Sequence, residues 1–373
     1  MSVVIPCLNE AESIGQCVNA AQRVLDEHGL DGEVVVVDNG SDDGSGVLAR
    51  LAGARVVDEP RRGYGSAYLA GFAAARGDYL VMIDADLTYD FEEIPRFIRE
   101  LDGGAELVMG NRMQAVEPGA MPLASRIGNP LMSGFLNLLF KTPARDTWCG
   151  MRALRRDVLP RLGLQATGME FASEMLIRAA KGGLEIREVP IALHPREGES
   201  KLSPFKDGWR SLRLMLVYHP NFLFLFPGAF VGAIGAILMA LVFAGTSLFG
   251  RLFFIHTLIG GSLLVVVGTQ LVGFGLCGRA YAVYQLGDRD PSFERFGSRV
   301  RLEHGLVLGL AIMAAGFAVG AVVVGHWIVG GLGSLAEERV TILAATLLIV
   351  GVQVFFTSFL LSLLGLRRRG RDA

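Results

Sequence analysis

The sequence predicts an α/β domain on a mostly parallel, Rossmann-like sheet, followed by an α-helical membrane domain of four transmembrane helices. Three observations carry this reading. Residues 1 to about 220 alternate short apolar runs with amphipathic stretches. Four long apolar segments follow, and none contains Asp, Glu, Lys or Arg. The 373-residue chain is 51% hydrophobic with a mean hydropathy of +0.42, too apolar for one ordinary soluble domain.

The strands of the first part are expected at 3–5, 33–38, 54–57, 79–83 and 106–109. The second, "EVVVVD", is continuously apolar, as in a parallel strand covered on both faces. Residues 12–28 read as a helix because Ile14, Val18, Ala21, Val24 and Leu25 recur at helical spacing. "NGSDDGS" is a turn cluster in which Ser41 or Asp42 would cap the next helix. Residues 68–75 and 91–101 supply further helices. Such βαβα order makes a parallel sheet, and ligands of such sheets bind at the carboxyl ends of the strands. Asp38, Asp84 and Asp86 all fall at such ends.

The expected spans are 222–246, 252–278, 305–329 and 340–366, each longer than the ~20 residues that cross a hydrocarbon core. Arg279, Arg289, Arg295, Arg299 and Arg301 lie between the second and third, and Arg367, Arg368, Arg369 and Arg371 in the tail. The other two loops offer only Arg251 and Arg339. The positive-inside rule puts the Arg-rich loop and the tail in the cytosol, and an even number of spans puts the first domain there too. The amino terminus, "SVVIPCLNE", lacks the basic start and cleavage site of a signal peptide. The expected divisions are a domain at 1–202, an interfacial linker at 203–221, the membrane domain at 222–366 and a basic tail at 367–373. Gly228/Gly232, Gly305/Gly309 and Gly316/Gly320 have the small-xxx-small spacing that seats one membrane helix on another.

Other classes are set aside. A net charge of −2 gives no reason to expect a nucleic-acid partner. Cys7, Cys17, Cys149 and Cys277 form no C-x-x-C pair, so neither a disulfide frame nor a zinc site is expected. No charge sits mid-span, where ion-coupled transporters place one.

The stretch "VMIDADLTYD" holds the chemistry. Asp84 and Asp86, one residue apart, share a side of the extended chain and repel each other unless a cation joins them. Hard carboxylate oxygens suit Mg2+ or Mn2+, which keep waters and take substrate phosphates as further ligands. The pattern therefore points to a metal–diphosphate site.

"VVIPCLNEAESI", "VVVVDNGSDDGS", "RRGYGSAYLAGFAAARGDYLVMIDADLTYD" and "GNRM" together resemble the family-2 glycosyltransferases of the GT-A fold. "DTWCGMRALRRDVL", "GMEFASEM" and "REGESKL", followed by membrane helices, look like the polyprenyl-phosphate sugar synthases of the dolichyl-phosphate-mannose-synthase type. The resemblance is close over residues 1 to about 210. It implies that Pro6, Asn9 and Glu10 line a nucleotide pocket, with Gly65 nearby, and that Asp38 holds the base. It implies that Asp84 lies near the ribose and diphosphate and that Asp86 ligates the metal, with Asp84 as a second candidate ligand. Two positions depart from relatives: Thr88 stands where several carry Gln as a further metal ligand, and Asn39 where many carry Asp.

Arg112, Arg126, Arg196 and Lys201 come from separate loops. Guanidinium forks and an ammonium suit phosphate oxygens. Arg112 and Arg126, with Ser200, are expected at the lipid phosphate of the acceptor, and Arg196 and Lys201 at the diphosphate. Arg126 sits in "SRIGNPLMSGFLNLLF", whose apolar residues suit a membrane surface. In "SPFKDGWRSLRLMLVYHPN", Lys206, Arg210 and Arg213 fall on one helical face and Trp209, Leu212 and Leu216 on the other, as in an interfacial helix.

Together these residues imply one reaction: inverting, metal-dependent transfer of a sugar from a nucleoside diphosphate (GDP or UDP) to a polyprenyl phosphate at the cytoplasmic face. A phosphomonoester is already mostly dianionic at pH 7, so it needs no general base. Glu170 and Glu174 are spare acids that would orient a sugar hydroxyl, act as a base, or start and line a helix. A processive polysaccharide synthase is the nearest rival, but its Q-x-x-R-W motif is missing. A lipid carrier or flippase with a nucleotide-binding domain is a second alternative.

Overall fold

The computed structural model describes residues 1–196, 204–245, 247–248, 251–252, 254–285, 290, 293, 295, 302–332 and 337–365. Ser200, Lys201 and the basic tail lie outside the described residues. The chain forms two compact units, Met1–Met215 and Leu216–Ala373.

The first unit is built on seven strands: β1 (Ser2–Cys7), β2 (Glu33–Asp38), β3 (Arg55–Asp58), β4 (Tyr79–Met82), β5 (Leu107–Val116), β6 (Arg152–Arg155) and β7 (Ile186–Leu193). They lie side by side in the order β3-β2-β1-β4-β6-β5-β7. β1 pairs in parallel with β2 and β4, β2 with β3, and β5 with β7. β6 runs antiparallel to both β4 and β5. The sheet is mostly parallel and the unit has the expected GT-A-like α/β architecture.

The central strands form because their side chains are apolar on both faces. Val3, Val4 and Ile5 of β1, Val35 to Val37 of β2 and Leu80 to Met82 of β4 are all fully buried. Each such burial is worth about 1.5–3 kcal/mol. The helix α1 (Ile14–Glu27) covers one face with Ile14, Cys17, Val18, Ala21, Val24 and Leu25, the periodic stripe of the sequence with Cys17 added. The helices α2 (Ser45–Leu51), α3 (Tyr64–Ala74), α4 (Ile94–Asp102), α5 (Leu123–Phe140), α6 (Leu159–Leu162) and α7 (Phe171–Lys181) fill the connections.

Four elements differ from expectation, one of them β7 (Ile186–Leu193), which has no counterpart among the expected strands. α3 starts at Tyr64 rather than at 68, because the glycines of "RRGYG" mask its first turn. β5 continues to Val116 instead of ending at 109, with a register irregularity between Asn111 and Ala115. β6 was not expected. It is only four residues, "RALR", and its first arginine, Arg152, is fully buried.

A further helix, α8 (Pro204–Tyr218), covers the interfacial stretch. Ser211, Met215 and Tyr218 form its buried side. Trp209 is 59% exposed and stands with exposed Lys206, Arg210 and Arg213, so the expected opposition of Trp209 to the bases is corrected. The helical angle explains this, since Trp209 falls at the edge of the basic face and not behind it.

The second unit holds four helices long and apolar enough to cross a membrane: Asn221–Phe243, Ile255–Tyr284, Leu302–Val329 and Glu338–Gly365. The second runs past the expected end at 278, because "GRAYAVYQ" contains no breaker. It therefore carries Arg279 near its end, where a loop residue was expected. The guanidinium is matched there by Asp290, with Nε and Nη2 donating at 2.9 and 2.8 Å. The glycine pairs do face neighbouring helices. A Cβ on Gly228 would meet Leu271 Cβ at 2.7 Å, and one on Gly309 would meet the Phe355 backbone nitrogen at 2.8 Å. Gly316 is packed as tightly on Leu348, at 2.9 Å. Gly309→Leu should thus force the third and fourth helices apart. The expected cost is about 1–3 kcal/mol of overpacking, read as a lower unfolding temperature in detergent, with the circular dichroism of the folded protein unchanged.

Candidate functional site

The carboxyl ends of β1, β2 and β4 open into a cavity of about 220 Å³. Pro6, Cys7, Leu8 and Glu10 line it from β1, and Asp84, Ala85 and Asp86 from β4. Asn39, Gly63, Tyr64, Ala67, Met169 and Arg196 complete the wall. Of the residues expected from the sequence, Pro6, Glu10, Asp84, Asp86 and Arg196 are brought together here. Asn9, Asp38 and Gly65 adjoin lining residues without lining the cavity themselves. Arg112, Arg126 and Glu170 are not among its walls.

Asp84 and Asp86 are held differently. Asp84 Oδ1 accepts from the phenols of Tyr64 (3.2 Å) and Tyr68 (3.4 Å), one turn apart on α3. Burial, with the Asp84 charge adding to it, pushes both phenols well above their ordinary value, so each remains a donor. The other oxygen of Asp84 faces Gly150, where a Cβ would strike it. Burial first, then the charge of Asp86, push Asp84 up to about 7. Among the described residues, Arg196 is the one guanidinium on the cavity wall. Asp86 Oδ1 accepts from the Thr88 hydroxyl (2.6 Å) and backbone N–H (3.2 Å). Asp86 Oδ2 lies 3.2 Å from Arg196 Nη1, and Arg196 Nη2 donates to Glu10 Oε1 at 2.7 Å. Thr88, at the departing position, is thus a partner of Asp86.

Among the described residues, no group of three or more His, Cys, Asp or Glu is placed to hold a metal ion. Two carboxylates still suit Mg2+ or Mn2+, which take waters and substrate phosphates for the rest of their shell. Asp84 and Asp86 present hard carboxylate oxygens on one cavity wall, so the donor set fits such a cation.

Asn39 explains the second departure. Its amide donates to the carbonyls of Glu59 and Arg61, both at 2.9 Å, and its oxygen accepts from Gly63 N–H at 2.7 Å. An aspartate has no donors for those two carbonyls. Asn39 therefore shapes the loop leading into α3 and the tyrosines. Asp38 accepts Ser41 N–H at 2.9 Å, and Asn9, at φ +53°, accepts Asp42 N–H at 2.9 Å. Asn9 is among the few residue types that adopt this left-handed backbone readily.

The two spare acids separate. Glu174 is buried and accepts from the backbone N–H groups of Gln165 (2.9 Å) and Ala166 (2.8 Å). It pins the 164–167 loop onto Gly63 and Gly65, where any Cβ would strike the carbonyls of Thr167 and Ala166. That is the packing reason for Gly65. Phe171, at the start of α7, stacks on Tyr68 at 5.8 Å and 5°. Glu170 caps no helix group, and its Oε2 is buried without a hydrogen-bond partner among the described residues.

Arg112 is already engaged. Its Nε and Nη2 donate to the two oxygens of fully buried Asp146 at 2.6 and 2.8 Å, and Nη1 to the Tyr89 hydroxyl at 3.3 Å. Removing one partner of a buried pair costs about 3–5 kcal/mol, so Arg112→Ala would report on folding before ligand binding. Arg126 is exposed on α5 beside Leu123, Ile127 and Leu131, whose exposures of 72%, 64% and 72% leave an apolar stripe on that face. Sequence reasoning passed over Arg152. It donates to the carbonyls of Thr147, Cys149 and Ala172 and ties the entry to β6 to α7. Nothing in "MRALRR" distinguishes it from its exposed neighbours.

Residues 2–163 match the family described as Glycosyl transferase family 2, and residues 276–365 the Glycosyltransferase family 2 C-terminal transmembrane region. A low-salt glycan biosynthesis hexosyltransferase of Haloferax volcanii is 40% identical over 98% of this chain and 89% of its own. A dolichyl-phosphate hexose transferase of the same organism is 37% identical over 56% of this chain and 89% of its own. Among solved structures, a glucosyl-3-phosphoglycerate synthase from Mycobacterium tuberculosis in complex with Mn2+, UDP and glucosyl-3-phosphoglycerate is 23% identical. It covers 58% of this chain and 79% of its own, with a TM-score of 0.48.

Two changes test the geometry. Asn39→Asp should lower stability by about 1–3 kcal/mol, the cost of stranding buried acceptors, in a denaturant melt. Glu174→Gln should cost a similar amount and increase protease cleavage at 164–167, because the amide oxygen is a weaker acceptor for two N–H groups.

Proposed function

Because this chain belongs to glycosyl transferase family 2, we propose that it is a glycosyltransferase that moves a hexose from a nucleoside diphosphate to a polyprenyl phosphate in the membrane. The observation that supports this most is the pair Asp84 and Asp86 at the mouth of a cavity on the carboxyl edge of the sheet. A membrane region of four apolar helices on the same chain fits a lipid acceptor. The related dolichyl-phosphate hexose transferase supports that class of acceptor.

Asp84 and Asp86 would hold Mg2+ or Mn2+, and the cation would neutralise charge on the departing diphosphate. Tyr64, Tyr68 and Thr88 keep the carboxylates aimed. Arg196 would bind diphosphate oxygens. Glu10, Pro6 and Asn9 would border the nucleotide, with Asp38 at the base. The lipid phosphate, mostly dianionic at pH 7, would attack the anomeric carbon directly, displacing the nucleoside diphosphate with inversion. The unpartnered oxygen of Glu170 is suited to accept a donor-sugar hydroxyl rather than to take a proton from the acceptor. The Arg-rich loop and tail would be cytosolic, and with them the catalytic unit. The domain divisions at 202 and 221, and phosphate roles for Arg112, Arg126, Ser200 and Lys201, remain part of this proposal.

The test is transfer by purified protein in detergent, with Mn2+ or Mg2+, polyprenyl phosphate and a panel of labelled UDP- and GDP-sugars. Label should enter the organic phase, and Asp86→Ala should lose it by at least about 100-fold. Glu170→Gln should keep the larger part of the rate. Labelled polymer in place of labelled lipid would overturn the acceptor, and a dead but folded Glu170→Gln that still binds donor would overturn the base-free step.

A further inference from the structure

We infer that Arg196 couples metal binding to nucleotide binding: it bridges Glu10 and Asp86, and it gives up Asp86 when a diphosphate takes its guanidinium. The inference rests on the metal–nucleotide reading above and adds a dependence between the two ligands.

Asp86 has no idle oxygen. Oδ1 is engaged twice by Thr88 and Oδ2 by Arg196. The Thr88 contacts are local and buried, made across two residues of one turn. Arg196 arrives from beyond β7 and is the partner that can move aside. Its seat is well defined. The N–H of His194 donates to the Thr88 carbonyl at 3.0 Å, so the strand end that delivers Arg196 is tied to the same residue whose hydroxyl holds Asp86. Thr88 thus keeps the Asp86 oxygen and the Arg196 strand in one unit.

The charges give the coupling its sign. Among the described residues, the cavity wall carries three carboxylates, Glu10, Asp84 and Asp86, and one guanidinium, that of Arg196. A cation alone must displace Arg196 from Asp86. A diphosphate alone meets the acids. When both bind, the diphosphate draws Arg196 away and the cation takes its place at Asp86, so each ligand removes the obstacle to the other. Among the described residues Arg196 Nε is buried and has no hydrogen-bond partner, a donor of the fork suited to an oxygen that draws the side chain aside. Such coupling is reciprocal by linkage.

The experiment measures Mn2+ affinity of the full-length protein in detergent by the electron paramagnetic resonance of free Mn2+, with and without UDP or GDP. In the wild type, nucleotide should tighten Mn2+ about tenfold or more. Without nucleotide, Arg196→Gln should bind Mn2+ about tenfold more tightly than the wild type, and its nucleotide-dependent gain should shrink by the same factor. Arg196→Lys, a point charge that cannot fork across two carboxylates, should fall between. Equal wild-type affinity with and without nucleotide would overturn the inference, as would an Arg196→Gln protein no tighter than the wild type. A wild type that binds no Mn2+ with either nucleotide would instead sink the metal–nucleotide reading itself.

Discussion

The structure depends on keeping three carboxylates together at the edge of a buried sheet. Glu10, Asp84 and Asp86 share one cavity wall, and their mutual repulsion works against the fold that presents them. Asp84 shows the strain chemically, pushed up to about 7 by burial and by its neighbour. The surroundings answer with donors. Two phenols face Asp84, Thr88 faces Asp86, and one guanidinium spans Asp86 and Glu10. None of these alone offsets burying an acid; together they hold the group in register, with one guanidinium for three carboxylates among the described residues. That imbalance is what a cation and a cationic side chain can compete to fill.

Much of the polar chemistry near the cavity serves architecture. Asn39, Glu174 and the Arg112–Asp146 pair look like site residues by type and position, yet each is satisfied by backbone or by a buried counter-ion. They fix the loops that carry Tyr64, Gly65 and Gly150. Glu170 and Arg196 differ because each keeps a buried atom unsatisfied among the described residues. A buried polar atom without a partner costs about 1–3 kcal/mol, a debt that a bound ligand can cancel.

The sheet's centre was legible because β1, β2 and β4 are apolar on both faces, and the acids at their ends then stand out. The four spans were legible from length alone. The rest was hidden for identifiable reasons. β6 is four residues with two arginines, and its buried Arg152 is satisfied by carbonyls that only the tertiary fold brings near. The first turn of α3 is disguised by Gly63 and Gly65, which are needed for close approach rather than for a turn's end. Arg279 reads as a loop residue until Asp290 is seen beside it. The engagement of Arg112 with Asp146 spans 34 residues, a separation no local pattern encodes.

The antiparallel β6 has a consequence for how such a molecule can change. Met82 at the end of β4 lies opposite Arg152 at the start of β6, so the chain enters β6 directly above Asp84. Everything between β5 and β6, including α5 with its exposed apolar stripe, therefore leaves from and returns to the reactive edge of the sheet. A parallel strand in that place would have to begin at the far edge. One reversed strand thus lets the 117–144 segment vary in length and surface while Asp146 to Gly150, which hold Arg112, Arg152 and the Asp84 side of the cavity, stay fixed.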